Sequence, residues 1–486
     1  MKLRKLILIS GLLLGFAQTI GAQNQLITYP APQEAELKDD FTVKVRQPGG
    51  KWQTIATYPV KVDEVKEARH HVKLASMSYF DFDGEVEVSV TAHKEEIETA
   101  RIRPLSYGIT PQVSRNTLTF KLNSPHNLSI EVNGDIFHNL HLFANPIDRN
   151  NPLKPGMNPK KLKKNRNLIY FGPGIHQLPG DTLDVPSGKT VYISGGAIVR
   201  GCIRAKNAEN VTIFGRGEVH PEGRGAGVSI INSKKHPGRR ALITTQCPTG
   251  GSDSVTIRNV KAISSYGWGD GMNVFASNNV LFDGVFCRNS DDCTTVYATC
   301  MGFKGGCKNI TMQNSTLWAD VAHPIFIGLH GDAEGQEVME NLNYINIDIL
   351  DHKEKQIDYQ GCMAINVGDN NLVRNVRFEN IRIEDFRQGQ LVNLRIFFNK
   401  KYCAAPGRGI ENVLFKDITY NGENAELSII AGYNEERKVK NIRFENLRIN
   451  GEAIYDDMPG KPKWYKMGDM ARFFIGEHVE GVTFTK

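Results

Sequence analysis

Three absences narrow the reading of this chain of 486 residues. Beyond its first 22 residues it has no apolar run of 18 or more, so no membrane span is expected. It has no CxxC pair and no His partner at zinc spacing, and no cysteine precedes Cys202, so neither a metal site nor a cofactor is expected. It also has little excess charge. The formal net charge is +6, and it falls to +3 without the three basic residues Lys2, Arg4 and Lys5 of the N-terminal stretch, which is too weak to indicate a nucleic-acid partner. The one dense basic cluster, KPGMNPKKLKKNR at 154–166, is set among Pro, Gly and Asn and reads as a solvated linker.

What is present divides the chain into four parts. Residues 1–22 have a basic start, an apolar run from Leu6 to Ala17 and a small residue, Ala22, before Gln23, the pattern of a bacterial-type signal peptide. The mature protein is therefore expected in the periplasm or outside the cell. In such a compartment a disulfide among the crowded Cys287, Cys293, Cys300 and Cys307 would fit. Residues 23–146 carry the alternating runs FTVKV (41–45), VEVSV (86–90), TLTFKL (117–122) and LSIEV (128–132), the period-2 signature of an antiparallel β-sandwich. The basic linker takes 147–166.

From 167 to 486 one phrase recurs: SVTIRNV, NNVLFDGV, KNITMQNS, ENLNYINI, RNVRFENI, ENVLFKDI and KNIRFENL. Its first apolar residues, Val255, Val280, Ile310, Leu342, Val376, Val413 and Ile442, lie 25, 30, 32, 34, 37 and 29 residues apart. No 3.6-residue apolar period separates the phrases, so the repeat is a coil of strands and turns: the expected fold is all-β, a sandwich followed by a right-handed parallel β-helix.

Residues one coil apart in a β-helix stack at the strand spacing of about 4.8 Å. Aligning DGMNVFA from Asp270, DCTTVYA from Asp292 and HPIFIGL from His323 on their apolar endings places Asp270, Asp292 and His323 on one rung, with Asp291 beside it. Asp, Asn and Gly all favour bends between strands, but stacked carboxylates repel and raise one another's pKa, a cost that Asn would avoid. Paired carboxyls with separated pKa values are what glycosidic hydrolysis requires: one gives a proton to the leaving oxygen, and the other activates water or attacks the anomeric carbon. His323 is either a coil histidine with satisfied hydrogen bonds or a partner that helps the acid hold its proton. Sugar rings also need aromatic platforms. Trp268, Tyr297 and Trp318 flank the acids and, with His323, are the expected substrate contacts. Tyr266 flanks them too, and Phe397, Phe398 and Tyr402 lie on a later turn.

The spacing of Asp270 to Asp291-Asp292, followed by AHPIFIG, resembles the active-site strip of the polygalacturonases, glycoside hydrolase family 28. The phrase STLWADVAHPIFIG and the leading sandwich are more similar to the dextranases and isopullulanases of family 49. Either resemblance implies an inverting hydrolase without a cofactor, with Asp291 as general acid and Asp270 with Asp292 holding the water. The residues themselves leave the order of Asp291 and Asp292 open. Family 28 carries an Arg-x-Lys pair on the coil after the histidine. The corresponding coil here, QIDYQGCMAINV, has Met363 and Ile365 where charges are expected. No basic pair stands in that place, although Lys353, Lys355, Arg395, Lys400 and Lys401 could reach the cleft from turns. The expected substrate is therefore a neutral α-glycan, polysaccharide or oligosaccharide, of the dextran kind. Pectin hydrolysis, a calcium-dependent lyase and a non-catalytic glycan-binding β-helix are the alternatives.

Overall fold

The computed structural model describes residues 25–67, 69–154, 156–220, 249–265 and 269–486. The expected leader at 1–22 and Trp268 and Tyr266 lie outside the described residues. Among the described residues no helix is long and apolar enough to cross a membrane.

Residues 25–146 form two facing sheets. One contains Gln25–Thr28, Tyr58–Lys66, Arg69–Asp83, Ala100–Arg103, His126–Val132 and Asp135–Pro146; the other contains Phe41–Arg46, Gln53–Ile55, Val86–Ala92, Gln112–Ser114 and Thr117–Leu122. Alternate residues of both sheets, among them Val43, Val88, Phe120, Ile130 and Leu142, meet in one buried cluster, which is why the period-2 runs were legible. Pairing is antiparallel except where Asp135–Pro146 runs parallel to Arg69–Asp83.

The rest is a right-handed parallel β-helix. Val211, Val255, Val280, Ile310, Leu342, Val376, Val413, Ile442 and Val482 pair consecutively along one ladder, so the first apolar residue of each phrase faces the interior on every coil. The aromatic two residues further on stacks as well: Tyr344, Phe378, Phe415, Phe444 and Phe484 have successive ring centroids 4.6–5.4 Å apart. The asparagine before the apolar residue has its own ladder. Asn309, Asn341, Asn375, Asn412 and Asn441 each donate Nδ2–H to Oδ1 of the Asn one coil earlier, at 2.8–3.4 Å. These residues have φ of 55–58°, a left-handed bend that Asn tolerates better than most residues.

The sandwich packs on one flank of the helix. Tyr58, Val60, Met77, Tyr79 and Phe143 meet Ile198, Ile263 and Phe286. Buried ion pairs cross or line this junction: Arg216 with Asp81 at 2.7 Å, Arg103 with Glu384 at 2.6 Å, and Arg288 with Asp320 at 3.0 Å.

The cysteine expectation is corrected. Cys287, Cys293, Cys300 and Cys307 are all free. Cys287 and Cys293 face the interior core from one coil and Cys307 from the start of the next, and Cys300 packs against a separate outer cluster.

Candidate active site

An eight-stranded parallel sheet carries the three aligned segments: Met272–Phe275, Thr294–Tyr297 and Ile325–Gly328 are consecutive neighbours in it. Met272 pairs with Thr294 and Thr295 with Phe326, so two residues earlier Asp270, Asp292 and His323 share a rung. Backbone bonds continue the register into that rung, with Gly271 N–H donating to Asp292 O at 2.8 Å and Cys293 N–H to His323 O at 2.8 Å. Gly271 is required here, because a Cβ would lie 2.2 Å from the Cys293 carbonyl oxygen.

The three carboxylates have different surroundings. Asp270 is buried and accepts Nδ2–H of Asn273 at 2.7 Å. Asp292 is buried, and its Oδ1 accepts the backbone N–H of His323 at 3.1 Å and lies 2.6 Å from His323 Nδ1. Asp291 is half-buried and accepts only the N–H of Asp292, at 3.1 Å, among the bonds between described residues. Burial, then the charges of Asp270 and Asp292, push its carboxyl well above the usual range, and Glu354 adds to the effect. The surroundings of Asp291 thus favour its keeping a proton.

His323 therefore bonds Asp292 rather than the raised Asp291. Its ring stacks on Phe326 at 4.2 Å. The segment leading to it is anchored at Asp320, whose carboxylate takes Arg288 Nε and Nη2 and the N–H of Asp63 from the sandwich. The sandwich thereby fixes the approach to the rung.

Two expected platforms are corrected. Trp318 is 0% exposed, held between the guanidinium groups of Arg103 and Arg288 at 4.8 and 4.2 Å under the sandwich. It cannot meet a sugar. Tyr297 does face the same side as the acids, and burial followed by Asp292 and Asp270 pushes its hydroxyl up. Its ring, however, is packed against Phe275, Phe326 and His330. It is a wall of the site and offers no open ring face. Phe398, at 37% exposed, is the aromatic of the later turn that remains accessible.

Parity corrects a third expectation. Met363 and Ile365 point into the core, so the outward positions of that coil are Ala364 and Asn366. The outward positions of the next coil are Asn393 and Arg395. The Arg395 guanidinium donates to Asp358 O at 2.6 Å. Lys353 Nζ donates to Val65 O at 2.8 Å. Lys401 Nζ lies 4.6 Å from the ring centre of Tyr402.

Three groups near the acids carried no sequence signal. Glu354 is buried and acts electrostatically on Asp291. Gln360 falls on the rung of Asp291, two coils on. His330, whose pKa burial lowers, feels Asp369 and Asp292 and meets Tyr297 edge-on at 4.9 Å.

Residues 226–459 match the model of glycosyl hydrolases family 28. No curated protein sequence matches. Among solved structures, Dex49A from Penicillium minioluteum is similar with a TM-score of 0.55 at 13% identity, covering 94% of this chain and 96% of that one. A family 28 exopolygalacturonase from Yersinia enterocolitica gives 0.43 at 11% identity, covering 87% and 99%. A GH87 alpha-1,3-glucanase from Streptomyces thermodiastaticus gives 0.36 at 11%, covering 95% and 88%. The chain is a glycoside hydrolase built on the right-handed parallel β-helix, with its family 28 likeness over residues 226–459.

Proposed function

We propose that this protein cleaves α-glycosidic bonds of a neutral glycan with inversion. Asp291 is the general acid, and Asp270 with Asp292 holds and deprotonates the attacking water. The observation that carries this reading is the asymmetry inside the Asp291-Asp292 pair. Asp291 is pushed toward its protonated form by burial and two flanking carboxylates, whereas Asp292 accepts two bonds from His323. An acid must arrive protonated and a base ionised, and a pair with such different partners supplies both at one pH.

The outward positions just beyond His323, Ala364, Asn366 and Asn393, are uncharged and buried, so they place no basic side chain against a uronate. A neutral substrate is supported by the buried carboxylate of Glu354, which would repel a uronate close to Asp291. Arg395, on the outward row two coils beyond His323, favours a second reading in which a uronic acid is bound further along. A screen of the purified protein against dextran, pullulan, polygalacturonate and galactans, with the products identified by NMR, tests both. Release of a neutral sugar with inverted configuration is expected. Retained configuration would overturn the mechanism, and turnover of polygalacturonate alone would replace the substrate.

A further inference from the structure

A polymer threading the length of this β-helix would need the outward face beyond His323 to be open, and it is closed. Asn366 and Asn393 point outward and are 0% exposed. Two turns account for the closure. Residues 397–406 seat Phe397 and Cys403 in one apolar cluster with Phe326, Leu329 and Ala364. That turn is pinned by Ala404 N–H and Ala405 N–H donating to Asp369 Oδ1, at 2.7 and 3.3 Å. Residues 354–361 are tied down by Arg395 at Asp358 O, and internally by Gln360 Nε2–H donating to Glu354 O, both at 2.6 Å.

Beside this closed end, polar atoms stand without protein partners. Asn273 Oδ1, Thr295 Oγ, Gln360 Oε1 and Asn366 Oδ1 are buried and accept no hydrogen bond. Asn273 and Thr295 are neighbours on the outward row of the acid-bearing coils, and Gln360 shares the rung of Asp291. Buried polar atoms are nearly always satisfied, so the three orphans of the acid-bearing coils and the Asp291 rung, Asn273 Oδ1, Thr295 Oγ and Gln360 Oε1, call for a ligand, whereas Asn366 Oδ1 lies under the closing turn. Two of the three are amide oxygens, which only accept, so the ligand must donate, as hydroxyls do. Glu354 adds a further acceptor: both bonds it receives on its carboxylate, from Gln356 N–H and Nε2–H, go to Oε1.

We infer that the cleft ends at the 354–361 turn in a pocket for one neutral terminal sugar, with Glu354 and Gln360 as specificity-determining residues, so that the enzyme trims glycans from a chain end. This rests on the function proposed above. A chain laid across the acids would have its end against this turn, and the scissile bond would lie a fixed number of units from that end.

The test is product analysis at low conversion with the full-length protein, using isomalto-, malto- and galacturono-hexasaccharides. One small product of constant size, with its complementary shortened oligomer, is expected from a neutral series. A spread of intermediate sizes would overturn the chain-end pocket and leave the hydrolase reading standing. No release from any substrate, or undiminished release by Asp291→Asn, would instead overturn the hydrolase reading and the pocket with it. Gln360→Ala and Glu354→Gln, each checked for an unchanged Tm, should raise KM by about 5- to 100-fold, the range for losing a hydrogen bond to a buried group. Glu354→Gln should also move the alkaline limb of the kcat pH profile to lower pH, because Asp291 loses a neighbouring charge. Wild-type KM and an unmoved limb in folded variants would remove both residues from the pocket.

Discussion

His323 Nδ1 lies 2.6 Å from Asp292 Oδ1, and the backbone N–H of His323 reaches the same oxygen at 3.1 Å. One residue thus orients one member of an adjacent aspartate pair and leaves the other, the half-buried Asp291, to its repulsive surroundings. His323→Ala removes the ring contact and keeps the backbone one. A hydrogen bond to a charged group is worth about 1.5–3 kcal/mol, so kcat/KM should fall by about 10- to 150-fold. Steady-state kinetics on the substrate found by the glycan screen checks this, and an unchanged kcat/KM would exclude His323 as the residue that holds Asp292.

Asp291 also predicts a stability effect with a definite sign. Its folded-state pKa is raised, so the folded protein holds this proton at pH values where the unfolded chain has lost it. Wild-type stability is therefore fully present below the ordinary carboxylate pKa of about 4 and declines as pH rises through the raised value. Asn has no proton to lose. Asp291→Asn should match wild type in Tm near pH 4 and exceed it by about 1–4 °C at pH 7.5 in thermal scans.

Asp320 and Arg288 are both 0% exposed and joined at 3.0 Å. Asp320→Ala leaves a buried guanidinium without its main partner and should cost about 3–5 kcal/mol in chemical denaturation. The pair of Arg204 with the exposed Asp184 is a control: Asp184→Asn should cost no more than about 1 kcal/mol. Equal effects would show that the junction with the sandwich contributes less than its burial implies.

Asn341 sits mid-ladder at φ 58°, donating to Asn309 and accepting from Asn375. Asn341→Ala combines a left-handed alanine with two lost amide bonds and should destabilise by about 2–4 kcal/mol. Asn341→Gly should recover about 1 kcal/mol of that, the backbone share.

The coils and the acid rung were legible because register in a β-helix repeats. Once the interior residues Val274, Val296 and Ile327 were aligned, Asp270, Asp292 and His323 followed by counting. The same counting went one residue astray at Met363 and Ile365, where the outward positions are Ala364 and Asn366. Trp318 could not be read correctly because its burial depends on Arg103, a sandwich residue more than 200 positions away in the chain. Glu354 and Gln360 reach the acids through the path of one turn, and turn geometry is not periodic. Phe398 carried a signal, being aromatic on a turn, but nothing in the sequence separated it from the buried Phe397.

The account stands most directly on Asp291, and the decisive measurement is hydrolysis and binding of the same neutral oligosaccharide by wild type and Asp291→Asn. A general acid contributes about 10²- to 10⁴-fold, so turnover should fall by at least about 100-fold while the oligosaccharide binds within about threefold of wild type by calorimetry. Turnover retained within about tenfold in the folded variant would contradict the assignment of Asp291 as the acid.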